Sequence, residues 1–206
     1  GMVPGLIAGI YRRDDLSINL PHLCDRAGVA FVQAEIVGVD SQRQDLLLHQ
    51  RPALSFGVLS LDVGAVTRNL EHLSGVPIKP LEEAPQFLSQ QDPEDPQPFR
   101  IVGAGPAGIE VALALRRRWP RRPLELQIRA GQLNATTKSI LRRAHFHCVT
   151  EATAHTSLLC TGSRAPSWLA NSGFAVDHDG RVLTNSFLQL EGYSHLFASG
   201  DCAVME

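Results

Sequence analysis

The chain has 206 residues, of which 44% are hydrophobic and 19% charged, and its formal net charge is −2 at pH 7. This length suffices for one large domain or two small ones with a buried core. The small net charge gives no general attraction to nucleic acid or to an anionic membrane, and no apolar run approaches the length of a membrane span. We therefore expect no nucleic-acid partner and at most a peripheral membrane contact.

The cysteine and histidine spacings argue against disulfides and metal. No Cys-x-x-Cys or similar short spacing occurs, and no signal-peptide pattern opens the sequence, so we expect a reducing, cytoplasmic location. His145 and His147 lie two residues apart, on one face of a predicted strand. No third ligand is evident, so no metal site is assigned. The four cysteines are scattered singly: Cys24, Cys148, Cys160 and Cys202.

The amino-terminal part of the chain predicts short elements. Residues 1–11 are too rich in glycine to be assigned a helix or a strand. A glycine at position 64, directly after a predicted buried strand, allows either a simple turn or the close approach of a ligand. The predicted elements are a helix over 21–27 that Gly28 ends, and strands over 30–39, 46–48, 54–56 and 57–64.

A short helix is predicted around residues 81–89, and a polar segment follows it. This segment, Gln90–Pro98, contains three acidic residues and three prolines. Such a composition favours an extended, solvated chain. We therefore interpret the segment as an exposed linker and a domain boundary.

The next stretch, Phe99–Leu115, has the pattern of a short buried strand, a glycine-rich turn and an amphipathic helix. Its glycines have the G-x-G-x-x-G spacing of dinucleotide-binding sites. In that motif Gly103 permits the tight turn, Gly105 lets the backbone approach a pyrophosphate, and Gly108 lets the helix pack closely on the strand. The first N–H groups of the helix and its dipole would face the phosphates. The alternative is a glycine turn that serves only strand–helix packing.

The arginine-rich end of this helix, Arg116–Pro123, is interpreted as cations that complement the helix dipole on a solvated face, in preference to a nucleic-acid patch. Only residues 150–156 separate two of the strands that follow, which is unusually short. The later elements are predicted as strands over 124–129, 145–149 and 157–162, a strand that runs into a Gly-Asp turn over 196–203, a helix over 136–144, a helical turn over 167–172 and a hairpin over 176–183.

The motifs, taken in order, resemble the pyridine nucleotide–disulfide oxidoreductase superfamily of flavoproteins with two dinucleotide-binding domains. The closest resemblance is to the branch of type II NADH dehydrogenases and of the oxidoreductase domain fused to selenide, water dikinase. It covers nearly the whole chain and rests on the order of the motifs. The segments that carry it are Gly1–Gly5, Leu59–Gly64, Val76–Pro80, Gly103–Glu110, Leu159–Gly162 and Phe197–Asp201.

The resemblance implies an α/β fold in which a Rossmann-like NAD(P)-binding domain is inserted in an FAD-binding domain. Residues 1–97 would form a partial FAD-binding domain, 98–162 a shortened NAD(P)-binding domain, and 163–206 the return to the FAD-binding domain. The amino-terminal unit with its own G-x-G-x-x-G, most of a β-meander before Cys160 and the segment after Asp201 have no counterpart. We therefore expect a fragment or a chain with missing parts, and catalysis that depends on those parts.

The activity implied is that of an FAD-dependent NAD(P)H oxidoreductase, which passes hydride from NAD(P)H to the flavin and electrons to a quinone or another small acceptor. The redox-active cysteine pair of the disulfide reductases is absent, and no catalytic residue is assigned. The cofactor-binding candidates are Gly64, Lys79, Gly103, Gly105, Pro106, Ala107, Gly108, Glu110, Arg129, Gly162, Gly200 and Asp201.

Two of these candidates have alternative roles. The resemblance assigns Asp201 to the ribityl and phosphate portion of the flavin, whereas the alternative is a simple helix cap. No acid stands about 20 residues beyond the fingerprint, where Ile128 lies. The next residue, Arg129, either pairs with the 2′-phosphate of NADP or is an exposed arginine at a strand end.

A second hypothesis is a degenerate dinucleotide-binding or interaction module without turnover. Half a flavin site lacks the helix N-terminus that holds the phosphates. A third is an NAD(P)-binding module that keeps the second site only. A homodimer and a fusion to a selenide, water dikinase-like domain are also left open as partners.

Overall fold

The computed structural model describes residues 2–68, 73–151 and 157–206, so most of the short 150–156 segment lies outside the described residues. The chain divides into two compact units. Unit 1 comprises the described residues of Gly1–Ile18 and Thr67–Gly162, and unit 2 comprises Asn19–Val66 and Ser163–Glu206.

The predicted helices are confirmed, and the described residues contain one further α-helix within residues 1–11, which the sequence left unassigned. None of the helices in the described residues combines the length and the apolar character that a membrane crossing requires. The α-helices are α1 (Val3–Ile7), α2 (Leu20–Ala27), α3 (Glu83–Ser89), α4 (Pro106–Arg118), α5 (Ala135–Arg143) and α6 (Trp168–Asn171), with 3-10 helices at Arg13–Leu16 and Gly200–Cys202. Gly28 ends α2 in the left-handed conformation with φ 67°, as predicted.

Most of the strands are shorter than the sequence pattern predicts. They are β1 (Ile36–Asp40), β2 (Asp45–Leu48), β3 (Leu54–Ser55), β4 (Leu59–Leu61), β5 (Val66–Thr67), β6 (Val76–Pro77), β7 (Phe99–Val102), β8 (Leu124–Gln127), β9 (Phe146–Val149), β10 (Ser157–Leu159), β11 (Ser163–Arg164), β12 (Val182–Thr184), β13 (Leu196–Ala198) and β14 (Ala203–Met205). β1, β2 and β3 pair as an antiparallel meander, in which β2 and β3 correspond to the strands predicted over 46–48 and 54–56. The strand predicted over 30–39 is observed only as the shorter β1, which begins at Ile36.

Unit 1 is built on a five-stranded parallel sheet with the strand order β6-β10-β7-β8-β9. The strand order reverses at β7, because β8 and β9 extend to one side of it while β10 and β6 lie on the other. In open parallel sheets such a reversal leaves a crevice at the carboxyl ends of the strands, and ligands bind there. The glycine-rich turn after β7 and the residues after β10 therefore lie side by side at this crevice.

Helix α4 packs on this sheet through one apolar face. Gly108, Val111, Ala112 and Leu115 are buried, at the spacing that places residues on one side of a helix. The sheet contributes apolar residues of β7, β8 and β10 to the same core, and α1 and α3 close it. The helix ends before Pro120, which cannot continue it.

Two arginines that the sequence analysis placed on a solvated face instead make contacts inside unit 1. Arg116 donates to carbonyl oxygens at the ends of α4 and α5, including Ala144 at 2.9 Å and His145 at 3.0 Å. Arg122 is buried, with its guanidinium over the rings of Phe99 and Trp119 at 5.2 and 5.0 Å. These cations satisfy helix-end carbonyls and aromatic faces inside unit 1.

Arg122 also attaches the segment predicted as a linker. Its guanidinium donates to the Asp92 carbonyl at 2.8 Å and pairs with the Asp95 carboxylate at 3.1 Å. Because this segment and β6 belong to unit 1, the chain divides into compact units after Val66, whereas the sequence placed a boundary after Gln97. The chain also passes from one unit to the other after Ile18 and after Gly162. The assignment of FAD and NAD(P) to these regions stays a prediction.

Unit 2 contains two parallel strand pairs besides the meander. β4 pairs with β13, and β12 pairs with β14. The segment over 57–64, predicted as a buried strand, is largely exposed: Val58 is 68% exposed, and within β4 only Leu61 is buried. Leu61 packs in a core with Leu169, Val182 and Leu196.

The sheet of unit 1 also contains a buried ion pair between neighbouring strands. Arg100 on β7 and Glu125 on β8 face each other, and their side chains are 3% and 19% exposed. The Arg100 Nε donates to Glu125 Oε2 at 3.1 Å, and a terminal nitrogen donates to the same oxygen. Removing one partner of such a pair leaves the other charge buried.

We expect Glu125→Ala to lower the free energy of unfolding of unit 1 by about 3 kcal/mol, because the Arg100 guanidinium keeps its desolvation cost and loses this carboxylate. Urea titration in a Trp168→Phe background, followed by fluorescence of the buried Trp119, measures unit 1. The control is Asp14→Ala, which breaks the Arg12–Asp14 pair whose side chains are 84% and 85% exposed. Equal effects of the two substitutions would contradict a buried pair.

Candidate functional site

Two of the three motif glycines are required by the packing of the chain itself. Gly103 has φ +105°, and a Cβ there would overlap the carbonyl oxygen of Cys160 on the neighbouring β10 side. A Cβ on Gly108 would overlap the carbonyl oxygen of Gly103. Strand–helix packing alone therefore accounts for these two glycines.

Gly105 is different, because none of the described residues requires a glycine there. It has φ −70° and ψ 174°, a conformation open to any residue, and a Cβ on it would meet no atom within 4 Å. That Cβ would enter the open space at the N-terminus of α4. This is the place where a G-x-G-x-x-G turn brings its backbone against a pyrophosphate. The geometry thus fits a ligand at this turn.

The first turn of α4 presents the groups that an anion needs. Pro106 and Ala107 are exposed at its start, and Glu110 is exposed further along. The first N–H groups of a helix have no acceptor within the helix and carry the positive end of its dipole. These groups suit the oxygens of a phosphate.

The end of β8 borders one side of the crevice. Arg129 is exposed, and its backbone N–H donates to Gln132 Oε1 at 2.9 Å, which fixes the turn. Gln127 places a buried side-chain oxygen there that has no hydrogen-bond partner in the described part of the chain. Glu125, the acid nearest in sequence before this end, pairs with Arg100.

The end of β10 borders the other side of the crevice. Gly162 has φ +99°, and its carbonyl accepts the backbone N–H of Arg68 at 3.0 Å. The Thr161 hydroxyl donates to the Arg68 carbonyl at 2.5 Å. Thr67, the residue before, exchanges hydrogen bonds with the half-buried Lys79: its N–H donates to the Lys79 carbonyl, and its hydroxyl accepts the Lys79 N–H. The sequence selected Gly162 and Lys79 but missed Arg68, which only tertiary hydrogen bonds bring here.

Cys160 lies beside the glycine-rich turn, and its thiol is unreactive. Burial raises the pKa of the Cys160 thiol to about 12, so it stays protonated near neutral pH. A thiolate is the reactive form of cysteine. All four cysteines are free thiols. This arrangement has no feature of a redox-active cysteine pair.

A second set of candidates lies at the ends of β4 and β13 in unit 2. These strands are parallel neighbours, so Asp62 after β4 and Gly200-Asp201 after β13 share one edge. Gly200 has φ +69°, and a Cβ on it would crowd the Asp62 carboxylate. Asp62 and Asp201 are both exposed, and Gly64 follows with φ +65°. The sequence missed Asp62, although its place after a strand resembling a family motif was a usable signal.

The candidates therefore fall into two groups. Unit 1 holds Lys79, Gly103, Gly105, Pro106, Ala107, Gly108, Glu110, Arg129 and Gly162, and unit 2 holds Gly64, Gly200 and Asp201.

No protein-family model matches the chain. Ferroptosis suppressor protein 1 from Taeniopygia guttata is 26% identical over 216 residues, which are 85% of this chain and 57% of that protein. Demethylphylloquinone reductase NdbB from Synechocystis sp. is 26% identical over 224 residues, 88% of this chain and 55% of that protein. The chain thus spans just over half the length of these relatives.

Among solved structures, the water-forming NADH oxidase from Lactobacillus brevis, bound to NADH, matches with a TM-score of 0.80 at 15% identity. The match covers 98% of this chain and 53% of that one. At this identity the likeness concerns the fold. It confirms the expected α/β fold.

We expect Gly108→Ala to lower the free energy of unfolding by about 2 kcal/mol, because the new methyl group overlaps the Gly103 carbonyl and outweighs the better helix propensity of alanine. Gly105→Ala should cost about 1 kcal/mol or less, since its methyl group meets open space. Urea unfolding of the two variants beside the unaltered chain measures the difference. Equal losses would contradict the packing described for Gly108.

Proposed function

We propose that this chain, which has the fold of the pyridine nucleotide–disulfide oxidoreductases, is part of an FAD-dependent NAD(P)H oxidoreductase without a redox-active disulfide. The observation that carries the proposal is the open space over Gly105 at the strand-order reversal of the unit 1 sheet. When bound, FAD supplies the redox chemistry, taking hydride from NAD(P)H and passing electrons to a small acceptor.

The pyridine nucleotide is assigned to unit 1. The backbone of Gly103–Gly108 and the N-terminus of α4 would hold its pyrophosphate, because N–H donors and the helix dipole favour an anion there. Gly162 ends the neighbouring β10 with φ +99° and leaves open space above it. The protein's part is to bind and orient the nucleotide.

The end of β8 bears on the choice between NAD and NADP. A carboxylate at this place accepts a hydrogen bond from the ribose 2′-OH of NAD and repels the 2′-phosphate of NADP. The buried amide of Gln127 is neutral, and the nearest preceding acid, Glu125, is paired with Arg100. We propose that the exposed Arg129 faces the 2′-phosphate, so that NADPH binds at least as well as NADH.

The flavin is assigned to unit 2. Asp62 and Asp201 place two carboxylates at one strand edge, and carboxylates accept hydrogen bonds from hydroxyl groups. Their negative charge would repel a phosphate. We therefore propose that they bind the ribityl hydroxyls of FAD, with Gly64 and Gly200 providing the turns that bring the backbone close.

A quinone or another small molecule is the proposed acceptor. The relative from Synechocystis is named for reducing a quinone, demethylphylloquinone. Four free thiols support a reducing, cytoplasmic location. A homodimer and a fusion to a selenide, water dikinase-like domain stay predictions.

We expect Gly105→Val to abolish NADH and NADPH binding in titration calorimetry, because the side chain fills the space assigned to the pyrophosphate. The chain should remain folded, since no atom of the described residues lies within 4 Å of a Cβ at this position. The matched control is Gly57→Val, which also meets open space but lies in unit 2 away from both candidate strand ends. Binding by Gly105→Val as tight as by the unaltered chain would refute the assignment.

Flavin absorbance distinguishes a flavin-binding chain from a non-catalytic module. The purified chain, incubated with FAD and then freed of excess, should keep a flavin absorbance band. Asp201→Ala should weaken FAD binding about tenfold, because it removes a charged hydrogen-bond acceptor. Glu191→Ala, an exposed acid of unit 2, is the control. A colourless chain that cannot be reconstituted would instead favour the non-catalytic module.

A further inference from the structure

Arg68 is fixed in place by its own backbone. Its N–H donates to the Gly162 carbonyl at 3.0 Å, and its carbonyl accepts the Thr161 hydroxyl at 2.5 Å. The preceding Thr67 is tied to Lys79 on the other side. Since these contacts use backbone atoms of residue 68, its position does not depend on its side chain.

These contacts place Arg68 at the carboxyl edge of the parallel sheet. Thr161 and Gly162 follow β10, the strand beside β7 at the reversal of strand order. The neighbouring Cys160 carbonyl is the atom that a Cβ on Gly103 would overlap. The backbone of Arg68 therefore lies at the β10 side of the crevice that the glycine-rich turn also borders.

The strand order decides which half of a dinucleotide meets that side. In this fold the end of the strand after the fingerprint helix contacts the adenosine ribose, through its 2′-OH or 2′-phosphate. Here that strand is β8, which ends near Arg129. A dinucleotide with its pyrophosphate on α4 thus extends its adenosine half over β8. Its nicotinamide half extends over β10.

We propose that Arg68 binds the phosphate next to the nicotinamide ribose of NAD(P)H and so positions the nicotinamide half of the cofactor. This inference rests on the proposed nucleotide site of unit 1. An arginine guanidinium pairs with phosphate oxygens through two parallel hydrogen bonds, which fixes orientation as well as charge.

The test separates the two halves of the cofactor. Affinities for NADH, nicotinamide mononucleotide and AMP are measured for Arg68→Gln and the unaltered chain, the two fragments by competition against NADH. We expect NADH and nicotinamide mononucleotide to bind about tenfold more weakly, since a charged hydrogen bond is lost. AMP should bind within about twofold of the unaltered chain. Arg68→Lys keeps the charge and should recover part of the mononucleotide affinity.

The control is Arg121→Gln, which removes the same charge from an exposed residue between α4 and β8, at the opposite edge of the sheet. Equal weakening of AMP and the mononucleotide, or an effect no larger than that of the control, would overturn the assignment of Arg68. A chain that binds no NADH even without substitution would instead overturn the proposed function. Melting temperatures of all variants verify that each is folded.

Discussion

The close approach of three backbone segments controls the geometry of unit 1. The turn after β7 touches the chain after β10 at Gly103 and Cys160, and α4 touches the same turn through Gly108. No side chain fits at either contact. The strand, the turn, the helix and the neighbouring strand are therefore locked together, and the N-terminus of α4 points at the crevice where the strand order reverses.

The two units present opposite chemistry at their strand ends. In unit 1 the helix dipole and the arginines after β8 and beside β10 offer positive charge, which suits the phosphates of a nucleotide. In unit 2 the ends of β4 and β13 offer the carboxylates of Asp62 and Asp201, which suit hydroxyl donors. This division is the electrostatic argument for assigning different parts of two cofactors to the two units.

Charge inside unit 1 also has a structural use. Arg122 joins the rings of Phe99 and Trp119 to the acidic segment before β7, and Arg100 joins β7 to β8 through Glu125. Arginine suits these places because its planar group stacks on aromatic rings and donates in several directions. The sequence shows Arg122 only as part of a basic cluster, since composition does not reveal burial.

The sequence by itself determined those features of the fold that depend on residues close together in the chain. The glycine spacing and apolar pattern around β7 and α4, the stop at Gly28 and the strands β2 and β3 follow from local geometry. Only the tertiary structure decided the burial of Arg122, the division after Val66 and the place of Arg68 beside Gly162. Arg68 and Thr161 are 93 residues apart in sequence. Such contacts arise when distant strands join one sheet, and no local pattern encodes their register.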